Sequence, residues 1–293
     1  MLPVRRLQRA VLEWYARHQR PLTWRSFPPE PYAVLVREVM LQQTQAGRVE
    51  QALKRFLERF PSFQTLAAAS LAEVLQCWQG LGYNLRARRL WECARIVVSH
   101  YGGQLPPEPR LLQRLPGVGP YTAAAVATFA FGRQDLPVVD TNVRRVLQRL
   151  VGEELPQRVV EHARRLIPRG KSAEWHQALM DIGALLCRSR SPRCGECPLQ
   201  QWCQYARNPV PSVPAKRVEE PSFEGIPRRL WRGRVLRIVA AQGKASLRQV
   251  AQMLFGQIPA ARQRLWVRHV VQGLVRDGLL VRSGGILRLP REA

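Results

Sequence analysis

Four cysteines fall within 17 residues, at Cys187, Cys194, Cys197 and Cys203, in the spacing C-x6-C-x2-C-x5-C. They follow a helical stretch and sit in a loop punctuated by Pro192, Gly195 and Pro198. Thiols brought that close share a metal centre or pair as disulfides. No apolar run reaches the roughly 18–20 residues of a membrane span. The N-terminal MLPVRRLQRAVLEWYARHQ alternates Arg with apolar residues and lacks a continuous apolar signal segment. The chain is therefore expected in the cytoplasm, where thiols stay reduced, and not in a membrane. Structural zinc sites usually show two short knuckles, and this run has one C-x2-C between longer gaps. A single loop wrapped around one centre suits a [4Fe–4S] cluster held by four cysteines. Iron–sulfur is the expected cofactor and zinc the alternative. Cys77 and Cys93 stand alone in helical stretches and read as small core residues.

The charge points to a polyanionic partner. There are 46 basic residues against 21 acids, a net charge of +25, and 42 of the basic residues are arginines. A codon preference explains Arg over Lys but not the shortage of acids. Neutralising phosphates releases condensed counterions, so a surplus of this size suits nucleic acid. With 46% hydrophobic residues the chain can still bury a real core.

A length of 293 residues suggests two domains, or one plus an appendage. Apolar residues recur at helical spacing over 4–18, 31–44, 48–59, 70–77, 86–100, 109–114, 120–131, 141–151, 156–167 and 173–187. Almost nothing alternates with period two before residue 210, so the first 205 residues read as all-α. The Pro-rich polar stretch 208–228 reads as a linker. Beyond it, helical patterns over 229–241, 246–255 and 260–277 precede two short apolar runs joined by Ser-Gly-Gly. That is the pattern of a winged-helix-like α+β module over 229–293. Its third helix carries Arg262, Arg264, Arg268 and Arg276, with Leu265, Val267, Val270, Val271 and Leu274 expected in its core.

Three further segments carry chemistry. In Leu115-Pro116-Gly117-Val118-Gly119-Pro120-Tyr121-Thr122, a Gly-x-Gly turn exposes backbone N–H groups beside a helix N-terminus, an anion site. This is the sequence of a helix-hairpin-helix that grips a DNA phosphate without reading a base; a plain tight turn is the alternative. Asp140 stands where an apolar run meets a helix. It reads as an N-cap, and the helix N-terminus keeps such a carboxylate ionised, ready to stabilise a sugar cation. Between Pro31 and Gly47 the only charged residues are Arg37 and Glu38. That helix is apolar nearly all round and should be buried. A carboxyl there either stays protonated near neutrality or pairs with Arg37.

Taken in order, these constellations resemble the endonuclease III superfamily of DNA glycosylases, and within it the adenine DNA glycosylases of the MutY type. The resemblance covers residues 5–205 and is strongest at Glu38-Val39-Met40-Leu41-Gln42-Gln43-Thr44-Gln45. Gly80-Leu81-Gly82-Tyr83, the hairpin, Asp140-x-Asn142-Val143 and Ala178-Leu179-Met180-Asp181-x-Gly183 complete it. It implies a mainly α, two-lobed helix-hairpin-helix catalytic region over 1–207. One lobe is a six-helix barrel over 22–132; the other joins 1–21 to 133–207 and bears the cluster. It implies a monomer acting on double-stranded DNA that holds a mismatch or oxidised guanine. The resemblance further implies that Glu38 protonates the departing adenine, that Asp140 stabilises the oxocarbenium ion and that Tyr121 assists. Gln43, Thr44, Leu81 and Tyr83 enter the base stack, and Gly117, Val118, Gly119 and Asn142 complete the expected DNA contacts. Bifunctional relatives carry a Lys after the hairpin; Tyr121 in that region implies base hydrolysis without efficient strand cleavage.

The sequence departs from the family pattern at Asn84, Thr141 and His176. Typical members end in a MutT-like domain that reads 8-oxoguanine, whereas the 84 residues from 210 onward are too short and too helical for one. A glycosylase for thymine or another mismatched base, and a non-catalytic iron–sulfur DNA-binding protein, are the competing readings.

Overall fold

The computed structural model describes residues 2–25, 29–153, 155–209 and 220–290. Among these the elements run α1 (Val4–His18), α2 (Pro31–Leu41), α3 (Ala46–Arg59), α4 (Phe63–Ala68), α5 (Leu71–Cys77), α6 (Leu85–Tyr101), α7 (Pro109–Leu112), α8 (Pro120–Phe129), α9 (Thr141–Val151), α10 (Pro156–Arg165), α11 (Ser172–Leu185) and α12 (Gln204–Arg207). Then follow β1 (Ser222–Phe223), β2 (Ile226–Pro227), α13 (Arg228–Gln242), β3 (Ala245–Ser246), α14 (Leu247–Phe255), α15 (Ala261–Arg276), β4 (Val281–Ser283) and β5 (Ile286–Arg288). The fold is mainly helical, with strands confined to the C-terminal segment, as the periodicity indicated.

Two compact units emerge. The first comprises Met1–Leu35, Pro107–Arg114 and Val118–Lys216; the second comprises Val36–Pro106, Leu115–Gly117 and Arg217–Ala293. The boundary crosses α2. α8, which the sequence reading included in the 22–132 lobe, groups with the first unit, and the C-terminal module groups with the second.

The core of the first unit follows from amphipathic spacing. Val143, Val146, Leu147 and Leu150 line one face of α9 and pack with Leu7, Val11, Trp14 and Tyr15 of α1 and with Trp175, Ala178, Leu179 and Ile182 of α11. α9 starts at an Asp140 N-cap, whose side chain accepts from the Val143 N–H at 2.7 Å, and ends on left-handed Gly152. At Gly183 of α11 a Cβ would come within 2.6 Å of the Asn142 Cβ and 3.1 Å of its backbone. Glycine is what lets α11 approach the first turn of α9. Asp181, fully buried, anchors the N-terminal segment by pairing with Arg20 and with Arg25 at 2.7 Å.

In the second unit, capping boxes at Ser62–Thr65 and Ser70–Glu73 start α4 and α5. Phe56 packs edge-on to Trp78 with ring centroids 5.9 Å apart. The C-terminal module is winged-helix-like: β5 pairs with both β3 and β4, in the order β3-β5-β4. β3 is two residues long, too short for a periodic signal, and the sequence reading did not include it. Of the linker at 208–228, residues 210–219 lie outside the described residues. Its C-terminal part forms the β1–β2 hairpin, and Phe223 stacks on Trp266 at 5.3 Å. In α15, Val267, Val270, Val271 and Leu274 are buried as expected, but Leu265 is 66% exposed.

His176 ties α11 to the approach to α9. Its Nε2 accepts the Val138 N–H at 3.0 Å, so Nδ1 carries the proton and donates to the Ser172 carbonyl at 2.7 Å. Burial pushes this imidazole down to about 4. Between pH 6.5 and 4 the unfolded chain binds a proton that the folded chain refuses. Stability is thus complete above 6.5 and falls as pH drops, by on the order of 3 kcal/mol at most. His176→Asn is expected to flatten that part of a pH–urea stability curve; an unchanged slope refutes the assignment. Gly183→Ala overpacks the α9–α11 contact and is expected to cost about 1–3 kcal/mol in urea unfolding. Gly47→Ala, whose added Cβ meets nothing within 4 Å in α3, is expected to stabilise by about 0.5–1 kcal/mol.

Candidate active site

Arg86, in the first turn of α6, is buried and organises two turns at once. Its Nη1 donates to the carbonyls of Val39 at 2.9 Å, Met40 at 2.8 Å, and Gln42. Its Nη2 donates to Thr44 Oγ1 at 3.0 Å and to the carbonyls of Leu81 and Gly82 at 3.1 and 3.2 Å. The carbonyls at the end of α2 have no intrahelical partner, and this guanidinium supplies one. That explains why α2 stops at Leu41 rather than continuing to 44. Burial lowers the Arg86 pKa to about 10, which leaves it charged at neutrality.

The two turns present Gln43 and Tyr83, both exposed and both with left-handed backbone at φ 57 and 45. Non-glycine residues rarely adopt that conformation, and it persists where surrounding contacts over-determine it. Thr44 is half-buried and turned to Arg86, while Leu81 is 6% exposed. Gln42 Nε2 reaches the Gly117 carbonyl at 3.3 Å, fixing the hairpin turn. Gly117 has φ 78 and an added Cβ would sit 3.0 Å from the Arg89 Cβ, so both conformation and space demand glycine. Leu115 and Val118 are buried beneath the turn, and Gly119 leads into α8 with Tyr121 half-buried.

Glu38 is 3% exposed in a stretch of α2 buried from Val34 to Met40. Its Oε1 accepts from Arg37 Nε at 3.2 Å and Nη2 at 3.0 Å. Of the two expectations for this carboxyl, the arginine pair is the one formed.

Asp140 is half-buried, and both its oxygens are fixed: Oδ1 by Val143 N–H and Oδ2 by Asn142 Nδ2 at 3.1 Å. Asn142 Oδ1 in turn accepts from Arg145 at 2.8 Å. The same guanidinium donates to the carbonyls of Gly183 at 2.7 Å and Cys187 at 2.6 Å. A chain of hydrogen bonds therefore connects the Asp140 carboxylate to the first residue of the cysteine loop.

Cys187, Cys194, Cys197 and Cys203 line one cavity of about 20 Å³. Arg149 closes it, reaching Cys187 Sγ at 3.4 Å and the Arg188 and Ser189 carbonyls at 2.7 and 2.9 Å, with Tyr205 stacked on its guanidinium. Burial, with the other three sulfurs adding to it, pushes the Cys197 thiol up to about 12. Four thiolates share such a space only around positive metal, so the donor set fits a cluster. Arg86, Arg145 and Arg149 left no mark in the sequence, since a lone arginine in an amphipathic helix reads as a solvated face.

Residues 36–169 match the HhH-GPD superfamily of base excision DNA repair proteins. Residues 187–203 match the iron–sulfur binding domain of endonuclease III, and the chain carries a [4Fe–4S] cluster. The chain is 39% identical over 292 residues to an adenine DNA glycosylase of Mycobacterium tuberculosis (strain CDC 1551 / Oshkosh), covering 96% of this chain and 93% of that one. That span takes in the C-terminal module. Among solved structures, a thermostable thymine-DNA glycosylase superposes with a TM-score of 0.66 at 32% identity, covering 70% of this chain and 96% of the other. An endonuclease III bound to DNA superposes with a TM-score of 0.61 at 26% identity, covering 71% and 98%. Among the described residues no helix is long and apolar enough to cross a membrane. With its hairpin, its cysteine loop and its end-to-end likeness to the mycobacterial enzyme, the chain is a DNA-binding N-glycosyl hydrolase and belongs to the adenine DNA glycosylases of the helix-hairpin-helix superfamily.

Proposed function

We propose that this glycosylase acts as a monomer to release adenine mispaired with 8-oxoguanine or guanine in duplex DNA, leaving the strand uncut. The observation that carries the choice of base is the likeness to an adenine DNA glycosylase over 96% of the chain. A base inside a duplex is unreachable, so the target nucleotide must be flipped out and the gap supported. Gln43 and Tyr83, exposed on turns that Arg86 holds rigid, serve that purpose, with Thr44 and Leu81 packed behind them. The hairpin N–H groups at Gly117, Val118 and Gly119 take a phosphate, and Asn142 orients Asp140.

The chemistry asks for an acid at the leaving base and an anion at the sugar. Glu38 gives a proton to adenine N7 as the C1′–N9 bond breaks and its electron pair passes to the base. Asp140, ionised at a helix N-terminus, stabilises the oxocarbenium ion. Water adds to C1′, and its proton returns to Glu38. Arg37, donating to Oε1, holds the Glu38 carboxyl in place, and Tyr121 lies on the helix after the hairpin to support the sugar cation. The four cysteines would hold the [4Fe–4S] cluster, which would supply a structural centre for the 187–203 loop.

Asp140→Asn keeps an N-cap but loses the charge, so it is expected to slow single-turnover adenine release by about 10²–10⁴ while duplex binding persists. Glu38→Gln is expected to act likewise and Tyr121→Phe more mildly. Near-normal rates in both carboxylate variants refute these roles. Assaying a panel of mismatches decides the base: preferential thymine release from T·G pairs establishes the second reading, which the thymine-DNA glycosylase likeness supports, and no release from any pair leaves a binding protein. Iron analysis is expected to give about four irons per chain; zinc at unit stoichiometry without sulfide overturns the ligand assignment.

A further inference from the structure

α13 carries a charge arrangement that base hydrolysis does not use. It opens with Arg228 and Arg229, continues with Arg232, Arg234 and Arg237, and has no acid in its first turn. Cations at this end oppose the helix dipole. Glu220 offsets part of the conflict: it accepts the Arg229 N–H at 2.7 Å and pairs with the Arg229 guanidinium. Asp277 pairs with Arg232 at 2.6 Å.

Within the second unit these groups face the turns held by Arg86. One cavity of about 410 Å³ is lined on one side by Arg228, Arg229 and Arg232 and on the other by Gln42, Gln43, Tyr83 and Arg89. The module is fixed there by the Ala72 N–H, which donates to the Pro290 carbonyl at 3.2 Å, and by Arg88, which donates to the Asp277 carbonyl. Glu220 and Asp277 neutralise two of the cavity's five arginines. Arg86 is committed to carbonyls. Arg89 is exposed, Arg228 half-buried, and neither has an ion pair among the described residues. A second cavity of about 330 Å³ shares Asn84 and Arg229 with the first and continues along α13 past Arg234 and Arg237. Two neighbouring cavities with arginines at intervals suit an extended polyanion better than one small anion.

We propose that α13 and Arg89 form a phosphate-binding surface for the DNA strand that lies against Gln43 and Tyr83. Arg228, Arg229, Arg232 and Arg89 contact its backbone phosphates, and Glu220 and Asp277 hold the paired arginines in place before DNA arrives. The proposal rests on the glycosylase reading for its occupant. It assigns the C-terminal module a contact with the strand itself, fixed in register with the stack-supporting residues.

The test uses the full chain and a duplex with an A·8-oxoG pair, with binding measured from about 50 to 200 mM salt. Arg89→Gln with Arg228→Gln breaks no ion pair. It is expected to weaken binding roughly tenfold or more and to lower the log–log salt slope by about 2, near 0.9 per phosphate lost. Glu220→Gln and Asp277→Asn are expected to do the opposite, tightening binding, because each removes a repelling charge and keeps a hydrogen-bonding group. Arg248→Gln, at an exposed position of α14, removes one arginine charge outside the cavities. An unchanged affinity and slope in the double variant overturns the proposal, as does an equal effect of Arg248→Gln or weaker binding in the acid variants. Saturable binding of a free deoxynucleoside triphosphate, lost in the double variant, reassigns the surface to a small anion. Wild-type base release is scored separately: if it is absent while the slopes change as stated, the glycosylase reading fails and the phosphate surface stands.

Discussion

A single guanidinium, that of Arg86, carries the geometry of the turns that present Gln43 and Tyr83. Six acceptors from residues 39–44 and 81–82 converge on it, and the rings of Trp78 and Tyr83 flank it at 5.4 and 5.5 Å. A buried carbonyl left without a partner costs about 1–3 kcal/mol, and Arg86 supplies donors at Val39 and Met40 while sharing Gly82 with Trp78 Nε1. The two Nη groups of a planar fork serve all six acceptors, while the buried Nε has no hydrogen-bond partner among the described residues. The left-handed backbone at Gln43 and Tyr83 is tolerable because the chain on either side is pinned. In the role proposed for Gln43 and Tyr83, a floppy turn would spend binding energy on ordering itself, a cost that the contacts of Arg86 reduce in advance.

The second organising contact is the approach of α11 to α9. Gly183 admits Asn142, Asn142 holds Asp140, and Arg145 joins Asn142 to the carbonyls of Gly183 and Cys187. The carboxylate is therefore oriented by the same helix pair whose C-terminal end begins the cysteine loop. His176 fixes the chain just before it, at Val138. The sequence motif Asp181-x-Gly183 has a plain physical content here. The aspartate anchors the N-terminal segment through Arg20 and Arg25, and the glycine sets the distance to α9.

Helix positions were legible because their apolar spacing is regular, and Asp140 was legible as a cap because a carboxylate before an apolar run has few other uses. The cysteines were legible by spacing alone. What escaped was whatever depends on contacts distant in sequence. Nothing around residue 86 reveals that its side chain ends α2, 45 residues earlier. Glu38 shows the same limit: burial was readable from its apolar neighbours, but the pairing with Arg37 depends on side-chain placement that spacing does not carry. β3 escaped because two residues cannot alternate. The hairpin over 222–227 escaped because a linker and a tight hairpin share the same Gly- and Pro-rich composition.

The arginine surplus acquires a structural meaning beyond codon preference. Arg86, Arg145 and Arg149 each bind several backbone carbonyls at once, and Arg20 and Arg25 share one buried carboxylate. Lysine, a point charge with three donors on a flexible stem, cannot span such sets. The buried acids are matched: Asp181 by two arginines and Glu38 by one. Those pairs are internally neutralised or nearly so, and the net charge of +25 falls on exposed and half-buried arginines such as Arg89, Arg228 and Arg234. A surface left so unbalanced repels itself. The compact state tolerates that repulsion, and a polyanion lying on it relieves it, so a charge distribution unfavourable to the free protein is what gives the complex with DNA part of its strength.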